Sequence, residues 1–178
     1  LGAAIDAEAA GDGAGSAVSL SSDGLTLAVG ASLNDGNGRD AGHVRVYRWD
    51  VAAGWTQLGG DVDGEAAFDR SGSAVSLSGD GTTLAIGAFG NDEVDVDAGH
   101  ARIYRWDAGQ ASWVQMGSDL NGVGLGDGAG GAVSLSFDGS LVAVGAPRHS
   151  ANRGQVRTYQ WNAAAESWEQ QGADLLGE

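Results

Sequence analysis

The sequence predicts an all-β protein in which one structural unit is repeated three times. Residues 16–31 read SAVSLSSDGLTLAVGA, and close copies follow at 73–88 and 131–146, at offsets of 57 and 58 positions. The chain has 32 Gly and one Pro, as expected for short strands joined by many tight turns. No window keeps the apolar period of a helix over three turns, so helices are not predicted.

The first two strands of each unit form a predicted hairpin, at 16–21 and 25–31 in the first copy. They are joined by Ser-x-Asp-Gly, and Asp-Gly between apolar runs favours a hairpin because Gly accepts the positive φ of the turn. We therefore interpret the aspartates of this turn as turn residues rather than ligands (Asp23, Asp80 and Asp138). The apolar second strand is typical of a strand buried on both faces.

The third strand, at 42–50 in the first copy, alternates between two kinds of side chain. Val44 and Val46 face one way, whereas Arg45 and its aromatic neighbours face the other. The arginine recurs in the later copies as Arg102 and Arg157. These arginines either bind anions or stack on the aromatic rings and hold adjacent units together, and the recurrence of the rings favours stacking. The fourth strand, at 54–59, brings a second Trp that is expected to pack.

Four antiparallel strands in a repeat of about 40–60 residues is the pattern of a β-propeller blade. We predict three blades and the start of a fourth repeat, at 1–57, 58–115, 116–170 and 171–178. The last segment aligns with 58–65, as do residues 1–8. Three blades do not close a ring when propellers have about 4–8, so we expect the chain to be part of a longer protein.

An unclosed propeller leaves apolar faces uncovered on its first and last sheets. We expect such faces at Val18 and Leu27 in the first unit and at Val133 and Val144 in the third. Burial stabilises by about 25 cal/mol per Å² of apolar surface, so several hundred Å² of open surface forfeits much of a domain's stability. The segment is therefore not expected to be a self-sufficient folded monomer.

The repeat resembles a known family. The stretch SGSAVSLSGDGTTLAIGAF at 71–89, followed by GHARIYRWD, is similar to the FG-GAP repeats of integrin α-chain propellers, and Gly-Ala-Pro is complete at 145–147. The resemblance implies a non-enzymatic binding module, a role in cell adhesion and an extracellular or cell-surface location. Integrin-type repeats can carry an Asp-rich calcium loop, but here it is shortened to one carboxylate, so that site is not carried over to Asp23 or its equivalents.

Two other loops are candidate calcium sites. They lie between the second and third strands, at 34–42 and 91–99, and are rich in acidic residues. Carboxylates and backbone carbonyls suit a hard cation such as Ca²⁺. The candidate ligands are Asp35, Asn37 and Asp40 in the first loop, and Asp92, Asp95 and Asp97 in the second. The third copy, RHSANRG, has no carboxylate, and the alternative is that both loops are solvated turns.

The segment that leads into each unit also carries a recurring aspartate (Asp12, Asp69 and Asp127). One interpretation is a cation site shared with Asp61, Asp63 and Glu65; the other is a carboxylate that accepts backbone N–H groups and shapes the turn. His43 and His100 are replaced by Gln155 in the third copy. That exchange indicates hydrogen bonding between blades rather than proton transfer.

Charge and composition exclude several functions. The formal net charge is −15 and there is no Lys, so nucleic-acid binding is disfavoured, whereas cations and basic partners are compatible. There is no Cys, no apolar run long enough for a transmembrane helix, and no nucleophile–base motif. We therefore expect no enzymatic activity, but a module that contacts protein or glycan, with calcium as a candidate cofactor. The alternative is an architectural subunit of a larger assembly, or blades covered by further blades of the same protein.

Overall fold

The computed structural model describes residues 3–178, so Leu1 and Gly2 of the first repeat lie outside the described residues. The chain forms three antiparallel sheets of five strands each, which confirms the all-β prediction. Predicted and observed strand bounds in the first unit agree to within two residues. Within residues 3–178, no helix has the length and apolar character needed to cross a membrane.

The three sheets repeat one order of elements. Sheet I contains β1 (Ala14–Leu20), β2 (Thr26–Ala31), β3 (His43–Asp50), β4 (Gly54–Gln57) and β5 (Val62–Asp63). Sheet II contains β6 (Ala74–Leu77), β7 (Thr83–Ala88), β8 (His100–Asp107), β9 (Ser112–Gln115) and β10 (Leu120–Asn121). Sheet III contains β11 (Ala132–Leu135), β12 (Leu141–Ala146), β13 (Gln155–Asn162), β14 (Ser167–Gln170) and β15 (Leu175–Leu176), with the short turn α1 (His149–Asn152) before β13.

In each sheet the long third strand has two partners on one edge. In sheet I, β4 pairs with the second half of β3, while the two-residue strand β5 pairs with its first half. The same arrangement recurs at β10 and β15. These short strands lie in the segments that lead into the next repeat, which we call the lead-in segments (3–13, 58–73, 116–131 and 171–178). Each hydrogen-bonded sheet therefore contains four strands of one sequence repeat and one short strand from the start of the next repeat.

The core lies between consecutive sheets. Sheet I contributes Ala28, Val44 and Val46 to the layer that it shares with sheet II, and Leu84 and Ile86 face them. A second layer joins the other face of sheet II to sheet III. The middle strand β7 is therefore buried at every position, as predicted, whereas its equivalent β12 alternates between buried and half-buried residues. Within residues 3–178, sheet III has a neighbour on one face only.

The expectation about open faces holds for Val18 of sheet I and is wrong for two residues of sheet III. Val18 is 62% exposed and its neighbour Leu20 57%, while Leu27 is half-buried. Val144 is only 3% exposed, and Val133 packs beside it against sheet II. The period of two in a strand puts Val142 and Val144 on the same face, and that face turned out to be the covered one. The exposed large apolar residues in the strands of sheet III are instead Val156 in β13 and Leu175 and Leu176 in β15.

Candidate functional site between the sheets

A recurring arginine connects each sheet to the lead-in segment that precedes it. Arg102 lies with its guanidinium 5.7 Å from the Tyr104 ring centroid, and its Nη2 donates to the backbone oxygen of Asp63 in β5. Arg157 does the same with Tyr159 and the backbone oxygen of Asn121, and Arg45 with Tyr47 and Asp6. The predicted stacking on aromatic rings is confirmed for tyrosine, and the backbone contact explains how it holds adjacent units together.

Tryptophan and serine side chains add hydrogen bonds between sheets. Trp113 Nε1 donates to the backbone oxygen of Leu58, and Trp168 Nε1 to that of Met116. Ser19 Oγ accepts the backbone N–H of Leu77 in the neighbouring sheet, and a serine recurs at this place in every copy. This recurrence was the signal for an inter-sheet role, which the sequence analysis missed because an isolated serine in a strand has no preferred partner.

His100 lies in a cluster of acidic side chains between sheets I and II. It is fully buried, and its Nδ1 lies 3.2 Å from Asp119 Oδ2 and 3.9 Å from Glu65 Oε2. Neither ring nitrogen makes a hydrogen bond of good geometry. Burial raises the pKa of Asp119, but the contact with His100 and a hydrogen bond from Gln115 more than compensate, so this pKa lies below its usual value.

The same cluster occurs one unit earlier in the chain. His43 is 1% exposed, and its Nδ1 lies 3.6 Å from Asp61 Oδ2 and 3.9 Å from Glu8 Oε2. In each cluster the three candidate ligand atoms lie within 4.8 Å of one another. We call these two groups the histidine clusters (Glu8, His43 and Asp61; Glu65, His100 and Asp119). One interpretation of the sequence grouped Asp61, Asp63 and Glu65 in one cation site, but the fold divides Asp61 and Glu65 between different clusters, and Asp63 Oδ1 lies 4.0 Å from His43 Nδ1.

The third unit replaces two of the three members at once. Gln155 stands where the histidine would be and Val123 where the glutamate would be, while the aspartate is kept as Asp174. Gln155 Nε2 donates directly to Asp174 Oδ2 at 2.7 Å. The side-chain amide of Gln155 therefore provides a hydrogen-bond partner for Asp174, the one carboxylate that this unit keeps. The predicted hydrogen bond is present at Gln155, but its partner Asp174 immediately precedes β15 of the same sheet, so the bond lies within sheet III rather than between sheets.

The predicted calcium loops form compact, self-bonded turns at the surface. Asp35 Oδ1 accepts the backbone N–H of Asp40, and Asp92 Oδ1 accepts that of Asp97. Asn37 donates through its side chain to the backbone oxygen of Gly64, and Asp95 Oδ1 accepts the N–H of Val96. Each carboxylate keeps a second oxygen for a cation, so calcium binding in these loops stays a prediction.

The lead-in aspartates accept hydrogen bonds that shape turns, which agrees with the second of the two interpretations of the sequence. Asp12 Oδ2 accepts the backbone N–H of Ala9 and the side-chain amide of Asn34. Asp69 does the same with Ala66 and Asn91. In the third unit, Asp127 Oδ2 accepts the backbone N–H of Val123, and the Nδ1 atom of His149 lies 3.1 Å from Asp127 Oδ1.

The Asp-Gly turns also agree with the prediction. Asp138 Oδ1 accepts the hydroxyl of Ser136 and the backbone N–H of Ser140. These hydrogen bonds to the ionised form lower the pKa of Asp138 to about 2. Asp23 and Asp80 make the equivalent bonds.

A continuous surface of loops lies at one end of the sheets. It consists of the loops between second and third strands (32–42, 89–99 and 147–154) and of the parts of the lead-in segments that contact them (64–72 and 122–130), and we call it the loop rim. Gly126 donates its backbone N–H to Val96, and Phe68 donates to Arg39, so neighbouring loops are joined. Several large apolar side chains of this rim are 51–69% exposed: Phe68, Val94, Val96, Val123 and Leu125.

Comparison with known proteins supports the fold. No protein-family model matches the sequence, and no curated protein does. Similar solved structures include Sqt1 of Saccharomyces cerevisiae, at 14% identity and a TM-score of 0.54, with 89% of this chain and 35% of that chain covered. The periplasmic gluconolactonase PpgL of Pseudomonas aeruginosa has 19% identity and a TM-score of 0.59, with 92% and 45% covered. Hydrazine synthase of Kuenenia stuttgartiensis has 14% identity and a TM-score of 0.54, with 93% and 37% covered.

At these identities the likeness concerns the fold alone. The similar structures are propeller-like, and three antiparallel sheets of this kind correspond to part of a propeller. The chain spans between 35% and 45% of the length of those proteins.

Proposed function

We propose that this chain is a non-enzymatic, FG-GAP-like propeller module that binds a partner protein through the loop rim. The observation that carries the proposal is the group of exposed valine and leucine side chains on the rim, with Leu125 69% and Val96 57% exposed. Apolar side chains grouped on an otherwise polar surface are typical of protein interaction sites. Extracellular or cell-surface adhesion is the setting that the FG-GAP resemblance implies.

The charge of the rim defines the partner further. The rim ranges contain nine acidic residues and four arginines, acidic residues flank Val94 and Val96 in the sequence, and the whole chain carries a formal charge of −15. A partner with an apolar centre and a basic periphery therefore complements this surface, and opposite charges accelerate the encounter. Calcium bound in the loops 34–42 and 91–99 would stiffen the same rim.

The test is a paired substitution on the rim. Val96→Asp with Leu125→Asp places charge in the apolar patch and is expected to weaken capture of a partner at least about tenfold, since hot-spot losses reach about 2 kcal/mol. Val51→Asp is the matched control, because Val51 is 93% exposed in the β3–β4 turn at the opposite end of sheet I. Chemical crosslinking followed by calorimetry with the purified partner measures the loss. Equal binding by both variants would exclude the rim.

A glycan ligand is tested in the same experiment. If a glycan array gives specific binding that the rim variant loses, while no protein partner is captured, the ligand class in the proposal is wrong. The exposed faces of sheets I and III favour a second candidate function, an architectural subunit, because Val18 and Leu20 are covered by nothing within residues 3–178. An assembly that survives the rim substitutions but is lost on Val18→Glu supports this second function.

A further inference from the structure

We propose that the two histidine clusters each bind one divalent transition-metal ion. The cluster of His100 lies between sheets I and II, and the cluster of His43 lies between sheet I and the first lead-in segment. This site is separate from the acidic calcium loops. It joins an imidazole nitrogen to two carboxylate oxygens, a ligand set that suits Zn²⁺ and related ions, whereas Ca²⁺ takes oxygen ligands.

The distance from histidine to aspartate in the second cluster matches that of a bound ion, and all three candidate ligand atoms lie within 4.8 Å of one another. Bonds of about 2.0–2.1 Å in a tetrahedral zinc site put neighbouring ligand atoms roughly 3.3 Å apart. The Nδ1 atom of His100 lies 3.2 Å from Asp119 Oδ2 and 3.9 Å from Glu65 Oε2. The glutamate side chain is about half exposed, so it has the freedom to close the remaining distance, and water can complete the coordination.

The other oxygen of each carboxylate is already held, which leaves the oxygen facing histidine available. Gln115 Nε2 donates to Asp119 Oδ1 at 2.6 Å, and Arg102 Nη1 lies 3.5 Å from Glu65 Oε1. In the other cluster, Gln57 Nε2 donates to Asp61 Oδ1 at 2.6 Å, and Arg45 lies beside Glu8 Oε1. Outer contacts of this kind orient ligands and are a regular feature of protein metal sites.

Two observations independent of the acidic residues point to a ligand. First, the fully buried His100 faces the two carboxylates and has no hydrogen bond of good geometry at either ring nitrogen, although buried polar groups are normally satisfied. Second, where the histidine is absent in the third unit, the glutamate is absent too. Gln155 then donates a hydrogen bond directly to Asp174. The histidine and glutamate thus behave as one unit.

Calorimetry with ZnCl₂ on the chelator-treated chain tests the proposal. The wild type is expected to bind two Zn²⁺ per chain. Glu65→Val with His100→Gln, which reproduces Val123 and Gln155 of the third unit, is expected to bind one. His43→Gln with His100→Gln is expected to weaken both sites at least about tenfold, since even the loss of an outer partner of a metal ligand costs about 10–100-fold in affinity.

The third histidine of the chain supplies the matched control. His149 belongs to neither cluster, so His149→Gln is expected to keep two sites. Nitrogen NMR of the imidazoles in the wild type does not depend on the folding of any variant, and Zn²⁺ is expected to shift the signals of His43 and His100 but not that of His149. No heat of binding in the wild type, equal Zn²⁺ affinity in the wild type and the double histidine variant, or a shift confined to His149 would each overturn the proposal.

Discussion

Gly87 illustrates how one residue determines the distance between neighbouring blades. A Cβ atom built on this glycine overlaps the backbone oxygen of Gly130, in the lead-in segment of sheet III. The equivalent Gly30 meets Gly72 in the same way. The small residue of the recurring Gly-Ala pair is therefore required for close backbone approach and not for its φ angle, because no left-handed conformation occurs at either position.

Gly87→Ala is expected to lower the free energy of unfolding by about 3 kcal/mol, since overpacking against rigid backbone costs about 1–3 kcal/mol or more. Gly145→Ala is the matched control at the equivalent place in sheet III. There the nearest atom is Ala132 Cβ at 3.3 Å, and we expect a loss below about 1 kcal/mol. Denaturant unfolding of both variants measures the difference. Equal losses would show that the approach of Gly130 does not constrain this position.

The arginine contacts between sheets give a second prediction for a single residue. Arg102→Met keeps an apolar stem but leaves the backbone oxygen of Asp63 without its donor, and we expect a loss of about 2–3 kcal/mol, as for hydrogen bonds to charged groups. Arg105→Met, on the same strand but exposed, is expected to cost below about 0.5 kcal/mol. Thermal and denaturant unfolding compare the two variants. A similar cost for both would mean that the contact with Asp63 contributes little.

In the candidate calcium loops, the charge that would bind a cation can be removed without removing the hydrogen bonds that shape the loops. In each loop an aspartate oxygen accepts a backbone N–H across the turn, at Asp35 and at Asp92. Asparagine keeps that acceptor and removes the negative charge. A substitution to Asn therefore tests cation binding and keeps the hydrogen bond that shapes the loop, whereas a substitution to Ala would remove both the charge and the hydrogen bond.

Asp35→Asn with Asp92→Asn is expected to remove a weak Ca²⁺ binding heat that the wild type shows in calorimetry, because a hard cation needs the charged oxygens. Asp50→Asn is the control, since Asp50 accepts N–H groups in the β3–β4 turn at the other end of sheet I. Identical heats for the wild type and the double variant would remove both loops as calcium sites.

For the whole molecule, the two end sheets expose apolar surface that the middle sheet buries. Val18 and Leu20 of sheet I are 62% and 57% exposed, whereas Leu77, the equivalent of Leu20 in sheet II, is 7% exposed. Leu175 and Leu176 are exposed at the other end. Exposed sheet faces and edges of this kind favour association.

Residues 1–178 expressed alone are therefore expected to associate or to unfold with low cooperativity at micromolar concentration. Sedimentation velocity measures the mass, and Val18→Glu with Leu20→Glu is expected to reduce association through charge repulsion. A wild-type chain that sediments as a monomer and melts cooperatively would contradict the importance of the open faces.

The sequence by itself determined the strands, the Asp-Gly turns and the number of units. These features depend on local rules: the period of two in β3, the positive φ that Gly24 accepts in its turn, and the recurrence of whole blocks. It also indicated the stacking of Arg102 and the turn role of Asp69, because their neighbours in sequence are also their neighbours in space.

Only the tertiary structure decided which faces meet and which acidic residues surround each histidine. Glu65, His100 and Asp119 lie far apart along the chain. Asp119 approaches His100 because β10 pairs with β8 within sheet II, and Glu65, which follows β5 of sheet I, joins them because sheet II packs against sheet I. Packing between sheets also explains why Val144 was expected on an open face but is buried. The alternation of side chains divides a strand into two faces, but the neighbouring sheet decides which face is covered.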